Sequence, residues 1–229
     1  MRREISSELL DMDLGTPREV AESLDDLWRM NRWLGGVSSS LRLLDCFLAR
    51  TGRRSIDVLE VGAGDARLGA RLQQVLLQRG VRARFVVVDR SLRHLQNGSA
   101  LSRGLQPVAA DALRLPFPED QFDLATCNLF FHHFSGEQAV ALLRSLMAVS
   151  KLAVLVNDLE RHFVPYLFIR IARMFTRSRL TRHDAPASVR QAYTREELVD
   201  LTAAAGFADF EVRRLLPFRL GLTLWKTPA

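Results

Sequence analysis

Residues 56–64 read Ile56-Asp57-Val58-Leu59-Glu60-Val61-Gly62-Ala63-Gly64. Four of the first six side chains are apolar and suit a strand buried in a parallel sheet, and the two glycines then release the backbone into a tight turn. Arg67 to Arg79 follows at helical spacing, with Leu68, Leu72, Val75 and Leu76 on one face. Downstream the alternation repeats: strand Phe85–Val88 closed by Asp89, helix near Leu92–Ser102, strand near Pro107–Ala110, strand Phe122–Cys127, helix near Glu137–Val149, strand Leu152–Val156. Strands alternating with helices predict an α/β, doubly wound, Rossmann-like sheet with helices on both faces.

The flanks use a different grammar. Upstream, Thr16-Pro17-Arg18-Glu19 combines an N-cap, Pro at the first helical position and a capping-box Glu. That helix should stop at Gly35-Gly36, and a second should open after Ser38-Ser39-Ser40 and end at Gly52. Residues 1–54 therefore read as a helical cap, and 55–229 as the sheet domain with a helical insertion at about 158–193. Downstream, Thr194 caps a helix through Ala205, and Phe207–Leu215 with Phe218–Trp225 form a C-terminal antiparallel hairpin that brings the sheet to seven strands.

Composition narrows the classes. The 229 residues are 48% hydrophobic and 25% charged, an ordinary globular balance without disordered or collagen-like bias. Cys46 and Cys127 are the only cysteines, neither has the neighbours of a zinc site, and no metal ligand set is expected. The start carries no secretory pattern, so the expected location is the cytoplasm. Lysine occurs only at Lys151 and Lys226, so arginine supplies nearly all of the 32 basic side chains behind the net charge of +6. That charge admits nucleic acid or an anionic membrane as partner, but an arginine-coated soluble enzyme is the simpler reading.

In such a sheet, ligands sit at the carboxyl ends of the strands. Three features fall there: Glu60 with Gly62 and Gly64; Asp89, where a carboxylate can take both hydroxyls of a ribose; and Asp111, placed to accept from an exocyclic amine. Arg67 stands where a dinucleotide fingerprint wants a small residue, and there is no P-loop. The wording VLEVGAGDARLG, VVVDRS and DALRLPFPEDQFDLATCNLFFHHF resembles the successive motifs of class I S-adenosylmethionine-dependent methyltransferases. The resemblance implies that the methionine end of the cofactor lies over Glu60, Gly62 and Gly64. It further implies that Asp89 holds the ribose with Arg90 beside the adenine, that Asp111 and the Ala112 backbone read the adenine edge, and that Asn128 faces the sulfonium. S-adenosylhomocysteine is then the product. Ala66 replaces the family's third glycine, a mild departure.

The acceptor is read less directly. An Asn/Asp-Pro-Pro-aromatic turn, which amine methylation would favour, is missing at Cys127-Asn128-Leu129-Phe130. The LPFPEDQFD and HHF wording is similar to that of small-molecule enzymes acting on quinones, phenols and polyketide-derived natural products, which implies a small aromatic or lipid-like acceptor. An RNA methyltransferase and a non-catalytic cofactor-binding protein are the alternatives, and either a monomer or a homodimer is compatible with the sequence. Among His132, His133, His162 and His183, the two expected to border the acceptor are His133 and His183, with Asp158 as a further candidate for orienting a hydroxyl and Asp184 as a partner for a nearby imidazole. The wording NRWLGG, Asn31 to Gly36, predicts a lid over the cofactor that carries Arg32 and Trp33. In the insertion, Arg170, Arg173 and Arg177 share one helical face, with Phe163, Leu167, Ile171, Met174 and Phe175 as apolar neighbours: a cover for a hydrophobic pocket, or a basic amphipathic surface for peripheral membrane contact.

Overall fold

The computed structural model describes residues 1–12, 14–97, 104–173, 176 and 178–226; Met174, Phe175 and Arg177 of the expected basic face lie outside them, as does the end of the helix expected to reach Ser102. In chain order the elements are α1 (Pro17–Trp33), α2 (Gly36–Thr51), β1 (Ser55–Val61), α3 (Arg67–Gln78), β2 (Arg82–Asp89), α4 (Leu92–Asn97), β3 (Gln106–Ala109), β4 (Phe122–Asn128), α5 (Glu137–Val149), β5 (Ser150–Leu159), α6 (Phe163–Ala172), α7 (Arg179–Gln191), α8 (Arg195–Ala204), β6 (Phe210–Leu215) and β7 (Arg219–Trp225). The seven strands run in the order β3-β2-β1-β4-β5-β7-β6. The first five pair in parallel, while β7 is antiparallel to both β5 and β6.

Each face of the sheet carries its own core. Leu142, Leu143 and Leu146 of α5 and Leu198 of α8 bury one face. Leu43, Leu44 and Phe47 of α2 and Leu68, Leu72 and Leu76 of α3 bury the other. Central strands buried on both sides explain the near-continuous apolar runs in the sequence.

Two boundaries differ from expectation. Helix α2 opens at Gly36, with Gly35 at φ +76° as its cap, instead of after Ser40. Strand β5 extends to Leu159, because β7 hydrogen-bonds along its whole length; Asp158 therefore belongs to the strand, opposite Leu220. Within residues 1–54 the two helices take different places. Helix α2 packs on the sheet, whereas α1, α6 and α7 lie together at the carboxyl ends of the strands. Segment 1–12 straps across them, its Leu9 and Leu10 amides donating to the Asp184 carboxylate at 2.9 and 3.0 Å. Arg3 Nη2 donates to the carbonyls of His132 and Phe134.

Candidate functional site

The turn after β1 is built by its glycines. Gly62 sits at φ +69°, and a Cβ there would lie 2.3 Å from the Phe130 ring. Gly64, at φ +56°, turns its amide to Asp89, donating to Oδ2 at 2.8 Å. The other oxygen of Asp89 accepts from the Ser91 amide at 2.9 Å. Strand ends β1 and β2 are thus latched by one carboxylate. Ala66, at φ 59°, takes the left-handed conformation that the missing third glycine would have eased.

Glu60 is buried at the end of β1, and burial, with Asp65 adding repulsion, pushes its carboxyl up to about 8. The Gly69 amide and the Asn128 side chain offset only part of this. A buried carboxylate held in that state fits a ligand that brings a cation, such as an ammonium or a sulfonium group. Asn128 is itself fixed by Ser40, whose hydroxyl donates to Oδ1 at 2.7 Å.

These groups open into a cavity of about 1060 Å³. Glu60, Gly62, Gly64, Asp89, Arg90, Asp111, Ala112 and Asn128 all line it, as the sequence placed them. Its apolar lining comes from Val164, Pro165, Phe168 and Ile169 of α6, from Phe130, which packs on Gly62, and Phe134 after β4, and from Phe218. Leu24, Trp28, Asn31 and Leu34 of the α1 region close the remaining side.

Arg32 and Trp33 do not line the cavity; Trp33 is 80% exposed. The reason is helical phase. Trp28 and Asn31 face inward at i, i+3, which turns the two following side chains out to solvent. His183 also misses it. The imidazole is half exposed, bonded to Asp184 Oδ1 at 2.8 Å, and borders a separate outer groove with Tyr166 and Arg170. Phe163 is 62% exposed and lies outside the lining.

His133 does line the cavity, its Nδ1 2.8 Å from Asp11 Oδ2. Asp158 does not; it sits behind His132, taking the ring Nδ1 at 2.7 Å and the backbone amide at 2.8 Å. Burial opposes charging His132, yet Asp158 and Glu8 together raise its imidazole to about 10. Glu8 moves the other way: burial would raise it, but the two histidines and Ser188 hold it at about 2. Glu8, Asp11 and His132 also line the cavity, contrary to an expectation that ranked His132 below its neighbour. No sequence signal marks the two acids, because they lie in an irregular strap. Among the described residues, Glu8, His132 and His133 form a group whose donor atoms lie within 4.8 Å of one another, the spacing a metal ion would use.

Comparison with known proteins agrees with this geometry. Residues 58–152 match a family model described as a methyltransferase domain. Over 186 residues, 72% of this chain and 68% of the relative, the sequence is 26% identical to a ubiquinone/menaquinone biosynthesis C-methyltransferase of Vibrio vulnificus. Among solved structures, a SAM-dependent methyltransferase from Aquifex aeolicus aligns with a TM-score of 0.63 at 16% identity, covering 92% of this chain and 98% of its own. A plantazolicin methyltransferase, solved with a triazolic desmethylPZN analog and SAH, aligns at 0.66 and 14% identity, covering 92% of this chain and 97% of its own. Residues 58–152 are thus similar to a methyltransferase domain, and the chain shares the fold of the SAM-dependent methyltransferases it aligns with. Among the described residues no helix is long and apolar enough to cross a membrane.

Proposed function

We propose that the protein transfers the methyl group of S-adenosylmethionine to a small aromatic, lipid-like acceptor carrying a phenolic or quinol hydroxyl. The observation that carries this reading is the lining of one cavity: glycines and carboxylates from the strand ends, apolar side chains from α6 and the segment after β4, and an acid–imidazole cluster.

When bound, the cofactor supplies a methyl carbon already activated by its sulfonium. The chain's task is to align the partners and exclude water. In this reading Glu60 faces the methionine ammonium, Asp89 takes the ribose hydroxyls with Arg90 beside the base, and Asp111 with the Ala112 amide meets the adenine edge. Asn128 borders the reacting centre. Phe130, Phe134 and Phe168 enclose the acceptor ring, and its hydroxyl points at His133 and the Glu8–His132 pair. Removing that proton activates both the oxygen and the ring carbon beside it, so the cluster serves O- and C-methylation alike. Asp158 acts through His132 as a positioning residue.

The quinone-pathway C-methyltransferase relative favours a quinol-like acceptor. Apolar walls argue against RNA, whose binding would also weaken steeply with salt. The test is methyl transfer from labelled S-adenosylmethionine to a panel of quinols, phenols and RNA. Transfer confined to the aromatic acceptors supports the reading; transfer to RNA alone overturns it.

A further inference from the structure

We propose that Glu8, His132 and His133, with Asp11 bonded to His133, bind one divalent transition-metal ion of the zinc or iron type in the cavity. Each of the first three offers a donor atom, and these lie within 4.8 Å of one another. Glu8 Oε1 stands 3.6 Å from His132 Nε2 and 3.9 Å from His133 Nδ1, while Asp11 Oδ2 is 2.8 Å from the same Nδ1. Metal–nitrogen and metal–oxygen bonds near 2.0–2.2 Å imply ligand separations of roughly 3–3.5 Å, so Glu8 and each imidazole close by less than about an ångström to meet one ion.

Three further observations point the same way. His132 Nε2 is buried and has no hydrogen-bond partner, although it faces a carboxylate. At 3.6 Å the pair is longer than a hydrogen bond, in a place where burial calls for a close partner. Asp158 holds the opposite ring nitrogen at 2.7 Å, the carboxylate–histidine arrangement that orients metal-ligating imidazoles. Ser188 and Gln191 fix the Glu8 carboxylate at 2.6 and 2.7 Å, as outer-sphere groups do.

Two imidazoles with carboxylate oxygens suit zinc and ferrous iron, and such sets leave a position for a further ligand. All four residues line the cavity, so that position faces the acceptor. The metal site stands on its own geometry. Its use in catalysis rests on the function proposed above: a coordinated hydroxyl loses its proton more readily.

The full chain, stripped with chelator and dialysed, is titrated with Co²⁺ and then Zn²⁺, with S-adenosylhomocysteine titrated in parallel. The expected result is visible Co²⁺ absorption saturating at one equivalent and displaced by Zn²⁺. His133→Ala and Glu8→Gln should each weaken binding at least tenfold, and His183→Ala in the outer groove should leave it unchanged. His132 is too buried to serve as the sole test, so the two milder variants decide, with melting curves confirming that they fold. No saturable uptake by folded wild type, or uptake that neither variant weakens, overturns the site. Metal uptake without S-adenosylhomocysteine binding would instead overturn the cofactor reading and leave this site standing.

Discussion

Asp158 binds both polar groups of a single residue: its Oδ1 lies 2.7 Å from the His132 ring and its Oδ2 accepts the His132 amide at 2.8 Å. The last strand segment of β5 therefore sets the orientation of a side chain that follows β4, and the contact is buried on both sides. Removing one member of a buried pair typically costs about 3–5 kcal/mol. Asp158→Ala is expected to lower the melting temperature by more than 5 °C, at about 2–4 °C per kcal/mol for a chain of this size. Asp158→Asn should recover much of that stability while shifting the pH profile of turnover, an effect that a purely structural role would not produce.

The buried ionisable groups set a sign for pH dependence. Glu8 is held at about 2 against an ordinary 4.5, so its contribution is complete above pH 4.5 and is lost as pH falls through 2. His132 is raised to about 10, so its contribution is complete below pH 6.5 and is lost as pH rises through 10. Glu60, raised to about 8, adds a cost that grows between pH 4.5 and 8. Melting temperature should therefore peak near pH 5 and decline toward alkali, read by calorimetry across pH 3–10. A flat alkaline limb would contradict the ion pair.

Glu60→Gln separates stability from binding. At pH 8 the amide removes a carboxylate that burial disfavours, so the melting temperature should rise. Affinity for S-adenosylhomocysteine should fall about tenfold or more, since a cationic ligand group loses its partner. Calorimetry on the same sample reads both.

Asp89→Ala tests the ribose end. A carboxylate bonded to two hydroxyls contributes about 1.5–3 kcal/mol, so S-adenosylhomocysteine should bind roughly tenfold more weakly or worse. The variant also loses the latch from the Gly64 amide, and circular dichroism confirms that the sheet persists. Unchanged affinity removes Asp89 from the site.

Phe168→Ser should raise the acceptor KM several-fold with cofactor affinity unaltered, because Phe168 lines the cavity from α6 and not from the strand ends. His133→Ala should lower kcat by about 10²-fold or more, whereas His183→Ala should not. Steady-state kinetics on a quinol acceptor distinguishes the three.

The sequence by itself determined the sheet, the alternation of its strands with helices and the glycine turn after β1. A buried strand, a glycine turn and a carboxylate at the next strand end are local patterns, legible because each depends on neighbours a few residues away. Helix α1 was equally legible from its capping box at Thr16 and Glu19. What only the tertiary structure decided is the acceptor half. Arg32 and Trp33 turn away because Asn31 packs inward against Arg219 from the far end of the chain, at 3.2 Å. His132 outranks His183 because the strap brings Glu8, and β5 brings Asp158, to its two ring nitrogens. Those partners are 124 and 26 positions away, and no periodicity in a sequence records which distant carboxylates will share a buried imidazole. That choice is made by packing, where the cost of burying each charge forces the groups together.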